Sequence, residues 1–259
     1  RPGGGARTVC RRDDGTDGKE ITGGGIMNEF WSAVWAVVWK DLRIEGRTRQ
    51  TVSVMVMFSL ATIIMFNFAL GMATNVNLAA GRGVSPALLW AIVLLAAILG
   101  LNRSLALDRE NQVFDAMLIA PVSRTALYAG KVISITLLTL LLDAILVILF
   151  TVFFNQPYYL PMIMLILALG TVGYVAVGVL ITSMTIQSRT REVLLPVLLL
   201  PLSLPLVLPA AMATATYIAS AMLGEASWEL IRAPVLLVVA YDLLMLAVGF
   251  LTYRFVVES

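Results

Sequence analysis

The chain has 259 residues, 59% of them hydrophobic and only 13% charged, with a net charge of +2, whereas ordinary soluble domains carry about 25% charged residues. A water-solvated domain of this size cannot hide so much apolar surface, and a mean hydropathy of +0.91 points to a chain solvated by lipid. The small net charge leaves no footprint for nucleic acid; the lack of histidine excludes His-dependent triads and His-ligated haem or metal; the single cysteine, Cys10, excludes an intrachain disulfide; and no P-loop segment occurs.

Residues 1–26 are rich in Gly, Arg and Asp without apolar periodicity, which predicts a disordered leader or vector-derived remnant, with Met27 as the expected natural start. Residues 28–50 differ. Trp31, Trp35 and Trp39 stand beside Lys40, Arg43 and Arg47, and apolar residues recur at helical spacing. Tryptophan next to a basic stretch suits a helix lying in the membrane interface.

A helix rising 1.5 Å per residue needs about 20 apolar residues to cross a hydrocarbon layer of roughly 30 Å. Six segments meet that length: about 51–72, 86–107, 132–154, 161–186, 193–213 and 234–255. The predicted fold is therefore all-α, a polytopic membrane protein with six transmembrane helices and an N-terminal interfacial helix, together forming one membrane domain over 27–259. A small outer helix is expected near Ser227–Leu230, in a longer outer segment spanning Ala213–Ala233. Lys40, Arg43, Arg47, Arg49, Arg103, Arg109, Arg124, Lys131, Arg189, Arg191 and Arg254 fall on one side of this alternation, and only Arg82 and Arg232 on the other. The positive-inside rule then places both termini in the cytoplasm.

The connector between the second and third spans has the clearest pattern. Val113, Phe114, Met117 and Leu118 form an apolar stripe, with Asp108, Arg109, Glu110 and Asp115 around it. Pro121 ends this helix, because the residue before proline is pushed out of the helical region. Ser123 can cap the next helix, which runs from Arg124 through Tyr128 and Lys131 into span three. A short amphipathic helix held between two spans can act as a rigid peg for a cytoplasmic partner, or can simply join the spans.

The run from Glu110 through Pro121-Val122-Ser123-Arg124 to Gly130-Lys131 resembles the coupling loop of type-2 ABC transporter permeases. Trp39-Lys40-Asp41-Leu42-Arg43-Ile44-Glu45, Gly100-Leu101-Asn102-Arg103 and the proline-studded fifth span are similar to the haem exporter protein B (CcmB) family of cytochrome c maturation. The resemblance covers roughly 31–256. It implies a non-catalytic membrane subunit in the bacterial inner membrane, acting in haem export or in ATP-driven release of a haem-loaded chaperone. The implied partners are a separate cytoplasmic ABC ATPase gripping 108–121 and 30–49, a second membrane subunit or copy, a haem-handling membrane protein and a haem chaperone. ATP would act on the partner subunit, haem would be cargo, and no cofactor or metal is expected on this chain. A type-2 exporter of lipid, glycan or drug shares the same fold expectation. An intramembrane enzyme would need a nucleophile–base constellation that the sequence lacks, and a non-transporting scaffold is the remaining class.

Inside the spans, Pro196, Pro201, Pro205 and Pro209 each remove a backbone donor, predicting a bent or broken helix packed against protein. A hinge and a static kink are both open readings. Asp143 and Asp242 lie near the middle of spans three and six, where a charge costs about 2.5–3.5 kcal/mol on insertion scales. No span offers a mid-membrane Lys or Arg, so hydrogen bonds to hydroxyls or backbone are expected, either as a clamp between helices or as part of a transport site. Gly170, Gly173 and Gly178 predict close helix packing, and the methionines read as packing residues rather than haem ligands.

Overall fold

The computed structural model describes residues 23–73, 78–110, 124–185, 191–225 and 227–255. Among these there are seven helices: α1 (Gly23–Thr48), α2 (Gln50–Ala73), α3 (Leu78–Glu110), α4 (Arg124–Phe154), α5 (Pro161–Thr185), α6 (Arg191–Met222) and α7 (Trp228–Phe255). Helices α2 to α7 each contain a stretch long and apolar enough to cross a membrane. Helix α1 starts at Gly23, within the expected leader; the remainder of that leader lies outside the described residues.

Two helices form the centre. The apolar window of α5 is 72% buried and that of α3 67%, against 17% for α2 and 22% for α7. Helix α5 touches α3, α4, α6 and α7. Its glycines explain why so many neighbours can approach. The Trp90 ring of α3 lies over Gly170, Leu101 over Gly178, and the Asp242 carboxyl of α7 over Gly173. Small residues let helix backbones and large neighbours share the space a Cβ would fill.

The proline-rich helix departs from expectation. Helix α6 is continuous from Arg191 to Met222 and contains all four prolines, so no break occurs. Nor is the proline face wholly packed on protein: Pro201 and Pro205 are exposed, Pro196 is half-buried and Pro209 is buried. In a medium without water, a helix that loses one donor still has no better place for its remaining backbone groups. The first part of the longer segment expected outside the membrane over Ala213–Ala233 instead extends α6 to Met222, and its Thr214 accepts a hydrogen bond from the buried Trp90 indole at 3.1 Å. Alanine has the highest helix propensity. No separate outer helix is seen at 227–230; Trp228, Glu229 and Leu230 form the first turn of α7.

At the connection between α4 and α5, Tyr158 is fully buried and donates to Ser85 Oγ at 2.7 Å, while Ser85 donates to Gln156 Oε1 at 2.9 Å. Phe150 meets the Tyr158 ring edge-on at 5.4 Å. Burial pushes the Tyr158 phenol up from its ordinary value, opposed by the Ser85 contact. This cluster pins the α4–α5 turn to α3.

Candidate functional site

The opposite end of the bundle gathers α1, the start of α2, the end of α3 and the start of α4. Helix α1 is amphipathic. Val34, Val37 and Val38 are buried, and the same stripe continues into Asp41 and Glu45. Gly130 of α4 admits the contact, since a Cβ there would stand 2.8 Å from Val37 Cβ and 3.2 Å from the Val34 carbonyl oxygen.

Asp41 is the hub. Its Oδ2 accepts from Lys131 Nζ at 3.1 Å and from Ser134 Oγ at 2.8 Å, and its Oδ1 lies 3.1 Å from Lys40 Nζ. Burial alone would raise the Asp41 carboxyl, but Lys131, Lys40 and Ser134 together outweigh it and hold it below its ordinary value. Asp41 therefore ties α1 to the first turns of α4. Glu45, one turn further along, accepts from the Val52 backbone N–H at 2.8 Å and so caps the start of α2 from the helix before it. Between them Arg49 turns the chain with φ of 52°, its N–H bonded to the Glu45 carbonyl at 2.6 Å. A left-handed residue is a common way to end a helix, and here it makes an elbow one residue long. Arg103 at the end of the α3 span donates to Gln50. A small, partly open cleft remains at this junction, lined by Asp41, Glu45, Thr51, Ser104 and Ser134 with apolar neighbours.

The connector emerges at this end. Helix α3 continues from Ser104 at the end of its apolar stretch to Glu110, so its backbone projects about 9 Å further at 1.5 Å per residue. Asp108, Arg109 and Glu110 lie on that last turn, and Arg124 opens α4. Val113, Phe114, Asp115, Met117, Leu118 and Pro121 lie outside the described residues. Among the other candidates, Trp31, Trp35 and Trp39 are 59%, 63% and 58% exposed. Arg43 and Arg47 are exposed and Lys40 is half-buried.

A second polar feature crosses the membrane core. Asp143 of α4 is 3% exposed, and its Oδ2 accepts from Thr171 of α5 at 2.6 Å. Asp242 of α7 is 6% exposed and packs on Gly173 of the same helix. Thr171 and Gly173, two residues apart, face opposite sides of α5. The central helix thus stands between two buried carboxyls, both near the middle of their spans. Asp143 Oδ1 and both Asp242 oxygens have no hydrogen-bond partner among the described residues.

Asp41 and Glu45 were not singled out from the sequence as site residues, although a signal was there: two acids at i+7 and i+11 on the stripe begun by Val34. An acid in an apolar stripe marks a buried partner. Thr171 carried no comparable signal, and Gly173 was marked only as a close-packing glycine, without its neighbour Asp242.

Compared with known families, residues 32–252 match the one described as CcmB protein. The chain belongs to the CcmB family. This is the haem exporter protein B family, the membrane component of the ABC-type haem-export and cytochrome c maturation system. No curated protein matches the chain. The match to CcmB takes in α1 from its third turn, the apolar stretches of all six long helices and the α1–α4 joint. Both carboxyl-bearing helices of the CcmB core are included as well.

Proposed function

We propose that this chain is the non-catalytic membrane subunit of an ABC system in cytochrome c biogenesis, driven by a separate cytoplasmic ATPase that grips the 108–121 connector. The family supports the coarse role. The observation that carries the finer one is the Asp41 junction with Lys131 and Ser134. Lys131 and Ser134 lie within the first three turns of α4, the helix that follows the connector. Movement of the connector is thereby delivered both to a membrane-spanning helix and to α1. The junction sits at the end where the basic residues gather, which supports cytoplasmic termini and an inner-membrane setting. ATP is bound and hydrolysed on the partner, and haem, free or on a released chaperone, is the substance handled. The lack of histidine favours release of a loaded chaperone over direct haem carriage. A second membrane subunit or a second copy completes the permease.

The test is co-purification of the full chain with its co-encoded ATPase, comparing wild type with Asp115→Arg and Val113→Glu. Both variants are expected to lose ATPase recovery while remaining folded in the membrane. Undiminished recovery contradicts the peg. A type-2 exporter of lipid, glycan or drug is the rival reading; ATPase stimulation by such a compound, without dependence on a haem-handling partner, would favour it.

A further inference from the structure

Every fourth residue of α1 from Trp31 forms one outward ridge: Trp31, Trp35, Trp39, Arg43 and Arg47. Residues four apart are offset by about 40° around a helix, so from Trp31 to Arg47 the ridge winds through about 160°, sweeping across the exposed side of α1 from the indoles to the arginines. All three indoles are more than half exposed, and both arginines are exposed. The charges of α1 from Asp41 onward are sorted by face. Asp41 and Glu45 turn inward, to Lys131 and Ser134 and to the Val52 N–H respectively. Arg43, Arg47 and the elbow residue Arg49 point outward, with no carboxylate within 4 Å among the described residues. The two acids nearest these arginines in α1, Asp41 and Glu45, are therefore engaged in the joint, and the described exposed face is left aromatic and cationic.

Indole rings favour the polar–apolar boundary of a bilayer, and guanidinium groups bind phosphate oxygens in a two-pronged geometry. We infer that this ridge is a binding site for anionic phospholipid. The indoles sit at the level of the glycerol backbone, and Arg43 and Arg47 hold the headgroup phosphates. The inference rests on the reading that α1 lies along the bilayer surface and does not depend on which partner takes the connector. Because Asp41 joins α1 to α4, headgroup binding would brace the helix that the connector moves. The alternative occupant, a protein surface on the ATPase, would also be met by exposed arginines, but three tryptophans at helical spacing fit a lipid boundary better.

The experiment uses the full chain in lipid nanodiscs, with Trp228→Phe to silence the exposed indole at the opposite end. Trp90 is buried and reports little. Tryptophan emission is compared with a fixed minor fraction of brominated phosphatidylglycerol or of brominated phosphatidylcholine. The expected result is stronger quenching by the anionic probe. Arg43→Glu with Arg47→Glu should abolish that preference while retaining quenching by the neutral probe and the thermal midpoint. Arg43→Lys with Arg47→Lys should keep most of it. Equal quenching of wild type by the two probes overturns the lipid site. Absence of quenching by either overturns the placement of α1 on the bilayer, a separate failure. If the charge reversal removes ATPase recovery and leaves the lipid preference intact, the ridge is a protein surface and the inference falls.

Discussion

The carboxyl group of Asp242 occupies the space where a Cβ on Gly173 would stand. Helices α7 and α5 can therefore pack as they do only with glycine at 173. Gly173→Ala is expected to lower the thermal midpoint in detergent, with overpacking costing about 1–3 kcal/mol. Adding Asp242→Ala should recover part of that loss. Strict additivity of the two changes would show that these residues do not share the space.

On the other side of α5, Thr171 is the hydrogen-bond partner of Asp143 Oδ2. Thr171→Val keeps the shape and removes the donor, leaving a buried carboxyl with one contact fewer. A loss of about 1–3 kcal/mol is expected. The double variant with Asp143→Leu should be closer to wild type than Thr171→Val alone, if the pair is a clamp. Retained partner-driven activity in the double variant would confirm a structural role; lost activity with recovered stability would assign Asp143 to the transport path.

Asp41→Asn should weaken the α1–α4 joint without disturbing the Tyr158–Ser85–Gln156 cluster at the other end of the bundle. It leaves Lys131, only 16% exposed, short of its counter-charge. The Asp41 carboxyl is held below its ordinary value of 3.8. Its contribution is thus fully present at neutral pH and is lost only as pH falls below that value. Thermal midpoints of wild type and Asp41→Asn should differ at neutral pH and converge in strong acid. A gap that widens with acidity would contradict the sign. Partner-driven activity should fall with the joint even where ATPase binding persists.

The prolines of α6 allow a separation of hinge from kink. Pro205 lies four residues after Pro201 and has no N–H to give that carbonyl. Pro205→Ala restores a donor at an exposed position, and a gain of about 0.5–1.5 kcal/mol is expected. A hinge predicts that this gain comes with reduced coupled activity. Unchanged activity in the stabilised variant identifies a static feature.

The number of spans was readable because lipid imposes a length: six runs of about twenty apolar residues had no other use. Their ends shifted where polar or small residues continued a helix beyond the apolar run. The extension of α3 back to Leu78, ahead of the expected start near 86, and of α6 from the expected end near 213 to Met222 are two large cases. The α1 tryptophans were readable only as part of an apolar recurrence beside a basic stretch; the tertiary structure separates them, exposed, from the buried Val34 and Val38.

Composition and periodicity alone therefore established an all-helical membrane chain with a basic, tryptophan-bearing N-terminal helix, because solvent and helix geometry act on residues one segment at a time. Which groups meet was decided only by packing between segments far apart in the chain. Asp41 reaches Lys131 and Ser134, Asp143 reaches Thr171, and Asp242 fills the space above Gly173. A buried carboxyl announces that it needs a partner, but the crossing of helices determines which one it finds.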